Sequence, residues 1–274
     1  MKYFISVDME GITGIVDGTM VSRSEGDYKL GRKLMVKDVN AAIEGVLKTD
    51  PEAEITVSDA HGGMNNIEPE ELHRVAELVR GRPKPQSQCS GLDDSYDACL
   101  FIGYHSKKGT HAGMMSHTYS GSNIESLHIN GIEVGETAMN AGIAGYYNVP
   151  LILVTGDLAV TKEAHEIDPM IETVAVKTAL GRVSARCIHP EKARDMIKEG
   201  ASRAVGKIGD ISAHVFDPPV NFSIRFTDAK KADAASFIPT AERIDGKTIG
   251  ISNDNYIKAY HGFLAAVMCA SSVS

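Results

Sequence analysis

The sequence predicts an α/β fold with a mainly parallel central sheet flanked by helices and a smaller C-terminal α+β subdomain. Three observations carry this. Short apolar runs rich in β-branched residues recur with helical-looking segments between them, as expected for strands covered on both faces. Those runs end in carboxylates and histidines, at the position where open α/β sheets gather ligands. From His189 onward the texture shifts to amphipathic helices and alternating strands.

Lys2 to Val7 reads as a buried strand, with Asp8 and Glu10 at its end, and Lys29 to Thr49 as a helix. Glu54 to Ser58, Ala98 to Gly103 and Pro150 to Thr155 supply further strands. Ser126 to Val134 is a predicted hairpin, because Asn130-Gly131 between Ile129 and Ile132 suits a two-residue type I′ turn. It delivers the chain to a helix over Glu136 to Tyr147, and Leu158 to Ile167 forms the next helix. His189-Pro190-Glu191 opens a long amphipathic helix to about Lys207, with Pro at the first helical position. Asp217-Pro218-Pro219 then halts regular structure. Val220, Phe222, Ile224 and Phe226 alternate with polar residues as a half-buried strand. Ile244 to Ser252 offers another strand around Asp245-Gly246, and Asn255 to Ala270 a terminal helix.

Composition narrows the function. Hydrophobic content of 43% and charged content of 23% are those of an ordinary soluble globular protein. A formal charge of −8 without a Lys/Arg block opposes binding to a phosphate backbone, so nucleic acid is not an expected partner. Cys89, Cys99, Cys187 and Cys269 form no Cys-x-x-Cys pair, which argues against a zinc knuckle, a redox motif or a disulfide scaffold. Asp8 and Glu10 interrupt the N-terminal apolar run too early for a signal peptide, and no other run nears the ~20 residues that cross a bilayer. The expected location is the cytoplasm, with no membrane partner.

Asp8 and Glu10 are two apart, so in an extended segment their side chains share a face. Two ionised carboxylates beside a buried strand repel each other and lose hydration unless a cation or donors compensate. Further candidates stand at other element ends: Ser58-Asp59-Ala60-His61-Gly62-Gly63, Gly103-Tyr104-His105, Met114-Met115-Ser116-His117 and Gly135-Glu136. Imidazole nitrogen and carboxylate oxygen both bind zinc at ~2.0–2.2 Å. Five such ligands exceed what one zinc needs; with one carboxylate bridging they suit two metals ~3.5–4 Å apart, which polarise a substrate oxygen and activate water. His73, His128, His165, His189, His214 and His261 lack neighbouring strand-end carboxylates and read as surface or hydrogen-bonded core residues. Asp59 either orients a ligating imidazole or forms a turn. Asn65, Asn66 and Asp157 are candidates to hold a substrate ammonium or carbonyl.

Together Ser6-Val7-Asp8-Met9-Glu10-Gly11, Ser58-Asp59-Ala60-His61, Gly103-Tyr104-His105, Met115-Ser116-His117 and Gly135-Glu136 resemble the zinc-dependent D-aminopeptidases of the bacterial dipeptide-transport operon, the DppA type. The likeness extends through Met64-Asn65-Asn66, Gly91-Leu92-Asp93-Asp94, Ala144-Gly145-Tyr146-Tyr147 and Gly156-Asp157, then weakens toward the C-terminus. It implies two zinc ions per subunit, with Asp8 bridging, Glu10 and His61 completing one site, and His105 and Glu136 the other. His117 matches the family's catalytic histidine, for which acid/base work is the role preferred here. The resemblance also implies a preference for D-residues, short peptides of the D-Ala-D-Ala type as substrates, and a homo-oligomer, a ring-shaped decamer. His111, beside Lys107 and Lys108, has no counterpart in that pattern.

The expected organisation is an α/β metal-binding catalytic domain over 1–189 and an α+β subdomain over 190–274, with no linker marking the boundary. An L-aminopeptidase or another metal-dependent amidase could use the same ligands. A dinuclear phosphatase would need a phosphate cradle of Arg, Lys or Gly-rich loop, which is missing near the ligands. The reading from another class is a noncatalytic metal- or peptide-binding protein.

Overall fold

The computed structural model describes residues 1–273. The strands are β1 (Lys2–Val7), β2 (Glu54–Asp59), β3 (Ala76–Val79), β4 (Ala98–Tyr104), β5 (Ile124–Ile129), β6 (Ile132–Glu133), β7 (Leu151–Asp157), β8 (Glu172–Gly181), β9 (Ser184–Cys187), β10 (Val220–Phe226), β11 (Ala241–Arg243) and β12 (Thr248–Asn253). The helices are α1 (Tyr28–Thr49), α2 (Glu136–Tyr146), α3 (Leu158–Ile167), α4 (Pro190–Val205), α5 (Ala229–Ala235) and α6 (Tyr256–Ser271).

Seven strands form one sheet in the order β3-β2-β1-β4-β7-β8-β9, parallel throughout except for β9. β1, β4 and β7 at its centre are mainly apolar and, apart from Lys2 at the start of β1, buried, as a sheet covered on both faces requires. The chain winds from β1 through β2 to β3 in one direction, then returns to place β4 on the other side of β1. Right-handed crossovers therefore put α1 and α3 on opposite faces. α4 packs along α1, where Lys48 pairs with Glu199, Lys198 with Glu44 and Arg194 with the buried Asp38.

The second sheet is antiparallel, in the order β11-β12-β10-β5-β6, and α6 packs between it and α2. The Tyr256 hydroxyl donates to the Met139 carbonyl at 2.7 Å, and its ring occupies the space a side chain at Gly142 would need. The expected hairpin forms, with Asn130 at φ 50° and Gly131 at φ 82° in its two-residue turn. The strand expected over Ile244 to Ser252 is instead the end of a second hairpin. Asp245 Oδ1 accepts the Lys247 N–H at 2.7 Å, so Asp245-Gly246 turns the chain between β11 and β12.

β3, β8, β9, β11 and α5 have no counterpart among the expected elements. β3 is a short edge strand containing Glu77, and β8 carries Lys177 within its apolar run. That lysine is fully buried, and its ammonium donates to the carbonyls of Glu10, Ile12 and Ile15 at 2.6, 2.8 and 2.5 Å. Desolvation lowers its pKa to about 8. Three carbonyl acceptors for one ammonium fix the course of the loop that bears Glu10.

Candidate active site

Register brings the candidate residues together. Val7 stands opposite Asp59 on one side and Ile102 on the other, so β1 and β2 end at one level and β4 runs two residues further beside them. Asp8, His61 and His105 follow those ends, beside the β1/β4 position where strand order reverses, the ligand crevice of open α/β sheets. The segments after β1 and β4 touch backbone to backbone: the Gly11 N–H donates to Gly103 O at 2.8 Å. A Cβ on Gly11 would lie 1.9 Å from Tyr104 O, and Gly103, at φ +71°, would place one 2.4 Å from Asp8 O. Only glycine permits that approach, which sets Asp8 beside His105.

Six of the sequence-predicted residues converge. Asp8, Glu10, Glu136 and His105 are buried; His61 and His117 are partly so. His61 Nδ1 is 3.1 Å from Asp8 Oδ1 and 3.0 Å from Glu10 Oε2. His105 Nε2 is 3.4 Å from Asp8 Oδ2 and 3.3 Å from Glu136 Oε1, and His117 Nε2 is 3.7 Å from that same Glu136 oxygen. The His105 and His117 rings stack with centroids 4.1 Å apart.

Each imidazole spends one nitrogen on a backbone carbonyl. His61 Nε2 faces Val21 O at 3.0 Å, His105 Nδ1 faces Ser106 O at 3.0 Å and His117 Nδ1 faces Met115 O at 3.1 Å. A carbonyl only accepts, so those nitrogens carry the protons, and the remaining three turn toward the carboxylates. His105 Nε2 is buried and lacks a hydrogen-bond partner within the protein. An imidazole fixed by a carbonyl with its other nitrogen directed at carboxylates is a metal-ligand arrangement.

Electrostatics agree. Burial alone pushes the Glu10 carboxyl up, but the facing imidazoles, His61 foremost, outweigh it and hold the group well below the usual carboxylate range. Burial works against charge on His61 and His105, yet Glu10 and Glu136 respectively raise both imidazoles well above the ordinary value. The carboxylates thus draw positive charge into the cluster, and a dication satisfies them as protons do.

Sequence reasoning missed the supports of Glu136. Gln88, in the 3₁₀ turn Ser87–Cys89, donates through Nε2 to Glu136 Oε2, and the Tyr119 N–H donates to Oε1 at 2.7 Å. Asn140 Nδ2 donates to Gln88 Oε1 at 2.7 Å and to the Tyr104 hydroxyl at 3.0 Å, which shares a 2.7 Å hydrogen bond with Ser6. Glutamine in a polar turn carries no pattern that marks it for a site; only the buried carboxylate above it does.

Asp59 accepts from Asn66 Nδ2 at 2.7 Å and from the Ile67 N–H at 2.9 Å, drawing together the loop that bears His61. Asn66 is buried between Asp59, the His61 carbonyl and the Tyr28 hydroxyl; Asn65 Oδ1 is buried without a hydrogen-bond partner. Asp157 caps α3 through Val160 N–H at 3.1 Å and accepts the Met114 N–H at 2.8 Å, steadying the loop of His117. That loop holds Ala112, Met115 and Tyr119 at positive φ, and Arg182 O anchors it through the Met115 N–H at 2.8 Å. His111 is exposed and stands apart in another cavity, with Lys107, Lys162 and Glu163.

Glu163 braces two ligand-bearing segments. Its Oε2 accepts the Lys107 N–H at 2.8 Å, and its partnerless Oε1 lies where a Cβ on Gly135 would come within 2.2 Å. Burial pushes its carboxyl from 4.5 up to about 7. As pH rises through that window the unfolded chain gives up this proton before the folded chain does, so ionisation destabilises the fold. Glu163→Gln keeps an acceptor for Lys107 and cannot ionise. It is expected to exceed the parent in stability by up to about 3 kcal/mol near pH 8, and to lose that advantage near pH 4. Urea unfolding at the two pH values measures the difference.

A cavity of about 150 Å³ opens onto the cluster, lined by Asp8, His61, Met64, Arg82, Gln88, His117, Tyr119 and Glu136 among others. Its walls hold buried carboxylates, two imidazoles and one guanidinium.

The same architecture occurs in known proteins. The chain is 36% identical over 278 residues to the D-aminopeptidase of Bacillus subtilis (strain 168), an alignment covering 100% of this chain and 99% of that protein. Among solved structures it matches the Zn-dependent D-aminopeptidase DppA from Bacillus subtilis, described as a self-compartmentalizing protease. The TM-score is 0.95 at 34% identity, over 99% of this chain and 98% of the other. A family model described as D-aminopeptidase, peptidase M55, matches residues 1–265. With nearly its whole length matched in both sequence and fold, the chain belongs to the M55 peptidase family of D-aminopeptidases.

Proposed function

We propose that the protein is a dinuclear zinc aminopeptidase, acting in the cytoplasm on the N-terminal peptide bond of short peptides that carry D-residues. The observation that carries this reading is the set of three imidazoles, each anchored by one nitrogen to a carbonyl and aiming the other at buried carboxylates, with His105 Nε2 otherwise unpartnered. The relatives' zinc dependence and D-aminopeptidase activity support the metal and the substrate class.

In this reading Asp8 would be the ligand shared by two zinc ions, since its two oxygens face different imidazoles. Glu10 and His61 complete one site, and His105 and Glu136 the other. Zinc held there supplies Lewis acidity and lowers the pKa of water. Gln88 and the Tyr119 N–H fix the Glu136 carboxylate. His117, on the cavity wall, takes a proton from the attacking water at Nε2 and returns it to the departing amine. The self-compartmentalizing relative supports a homo-oligomer, and a ring-shaped decamer is testable by light scattering.

The deciding experiment compares D-Ala-D-Ala with L-Ala-L-Ala on zinc-loaded protein, with metal content measured alongside. Two zinc ions per chain, release of D-alanine and loss of turnover after chelation are expected. Faster cleavage of the L-peptide would overturn the stereochemical assignment. Zinc retention without cleavage of any amide would leave a binding protein.

A further inference from the structure

Arg82 stands where the reactive cavity meets a larger groove. The groove, about 510 Å³, shares Met64, Arg82 and Tyr119 with the cavity and continues past Lys84, Ser122 and Leu264. Among the described residues lining the cavity, Arg82 is the one lysine or arginine; the charged groups opposite it include Asp8 and Glu136. Its Nη1 donates to Gly62 O at 3.0 Å, the carbonyl next to His61, which holds the guanidinium over the entrance. Arg82 is exposed and no ion pair within 4.0 Å involves it among the described residues, so most of its five N–H donors are open to a ligand.

In the aminopeptidase reading the scissile bond lies at the Asp8–Glu136 cluster, so the C-terminal end of a dipeptide points to the rim, where the one guanidinium of the cavity lining stands. At about 150 Å³ the cavity is small, a size that suits a dipeptide. We propose that Arg82 binds the free C-terminal carboxylate of a dipeptide, making it the residue that selects short, uncapped peptides. This rests on the aminopeptidase reading above and names the feature of the substrate that the site recognises. Bidentate pairing of guanidinium with carboxylate supplies both strength and orientation.

The test compares kcat/KM for D-Ala-D-Ala and its C-terminal amide on the zinc-loaded parent, Arg82→Ala and Arg82→Lys. The parent is expected to prefer the acid by roughly 10–100-fold, the size of a charge-assisted hydrogen-bonded pair. In Arg82→Ala the preference collapses toward unity, and in Arg82→Lys it returns in part, as a point charge without the planar fork. Calorimetric titration of both peptides into zinc-loaded His117→Ala, with and without Arg82→Ala, reads the same preference as binding. A parent without preference, or an Arg82→Ala variant that keeps it, overturns the anchor. Preferential binding that depends on Arg82 while neither peptide is cleaved by the parent upholds the anchor and overturns the hydrolytic reading instead.

Discussion

Asp8→Asn is expected to abolish paired zinc binding and to lower kcat/KM on D-Ala-D-Ala by at least roughly 1,000-fold. The Asp8 oxygens reach two different imidazoles, His61 at 3.1 Å and His105 at 3.4 Å. An asparagine offers one neutral oxygen and an NH₂ group, so one side of the bridge becomes a donor where an acceptor is required. Lewis-acid assistance is worth several kcal/mol, and about 4 kcal/mol is three decades at 1.36 kcal/mol each. With Asp8 only 3% exposed, there is little room for water to substitute. The fold should survive, because the remaining amide oxygen can still accept the Met9 N–H, now bonded to Oδ1 at 2.8 Å. Zinc analysis and kinetics on the purified variant decide it: two retained ions with parental turnover would rule out the bridging role.

His117→Ala should leave zinc content unchanged while kcat falls roughly 10²–10⁴-fold, the range for a positioned general acid–base group. Its Nδ1 is committed to Met115 O, which leaves Nε2 free. At 3.7 Å from Glu136 Oε1, that nitrogen is too far for a hydrogen bond in place. The side chain is 20% exposed where His105 is 1%, so a substrate can reach it. The loop is independently tied by Asp157 and by Arg182 O, and truncating the imidazole leaves both ties intact. A nitrogen of His117 also lies within 4.8 Å of ligand atoms of His105 and Glu136. Loss of one zinc in the variant would therefore make His117 a ligand and not a proton carrier.

Much of the parallel sheet was legible because its strands are short runs rich in apolar and β-branched residues. β1 and α3 match their expected bounds, and β2, β4 and β7 continue one or two residues past the C-terminal ends expected for them. β8 escaped because Lys177 breaks its apolar pattern. The lysine is tolerated there only by the three carbonyls it finds on the loop after β1, more than 160 residues earlier. α5 is seven residues of alanine, lysine and aspartate, which form a helix only with α6 and β10 packed against it. Among the candidate site residues, Asp8, His61, His105 and Glu136 stood out because each follows or opens a periodic element. Gln88, Glu163 and Arg82 did not, since a glutamine in a turn, a glutamate on an amphipathic helix and an arginine in a loop look like solvated surface.

The amino-acid sequence by itself determined which residue types close each strand, where the Asn130-Gly131 turn falls and which segments are buried, for these follow from local sterics and hydrophobic periodicity. Tertiary structure decided that the ends of β1 and β2 stand level, that Gly11 and Gly103 touch, and that His61 presents Nδ1 because Val21 O claims its other nitrogen. Those outcomes depend on contacts between segments 40 to 100 residues apart. Parallel register and proton placement are settled only when all the partners are buried together, so neighbouring residues in the chain carry no record of them.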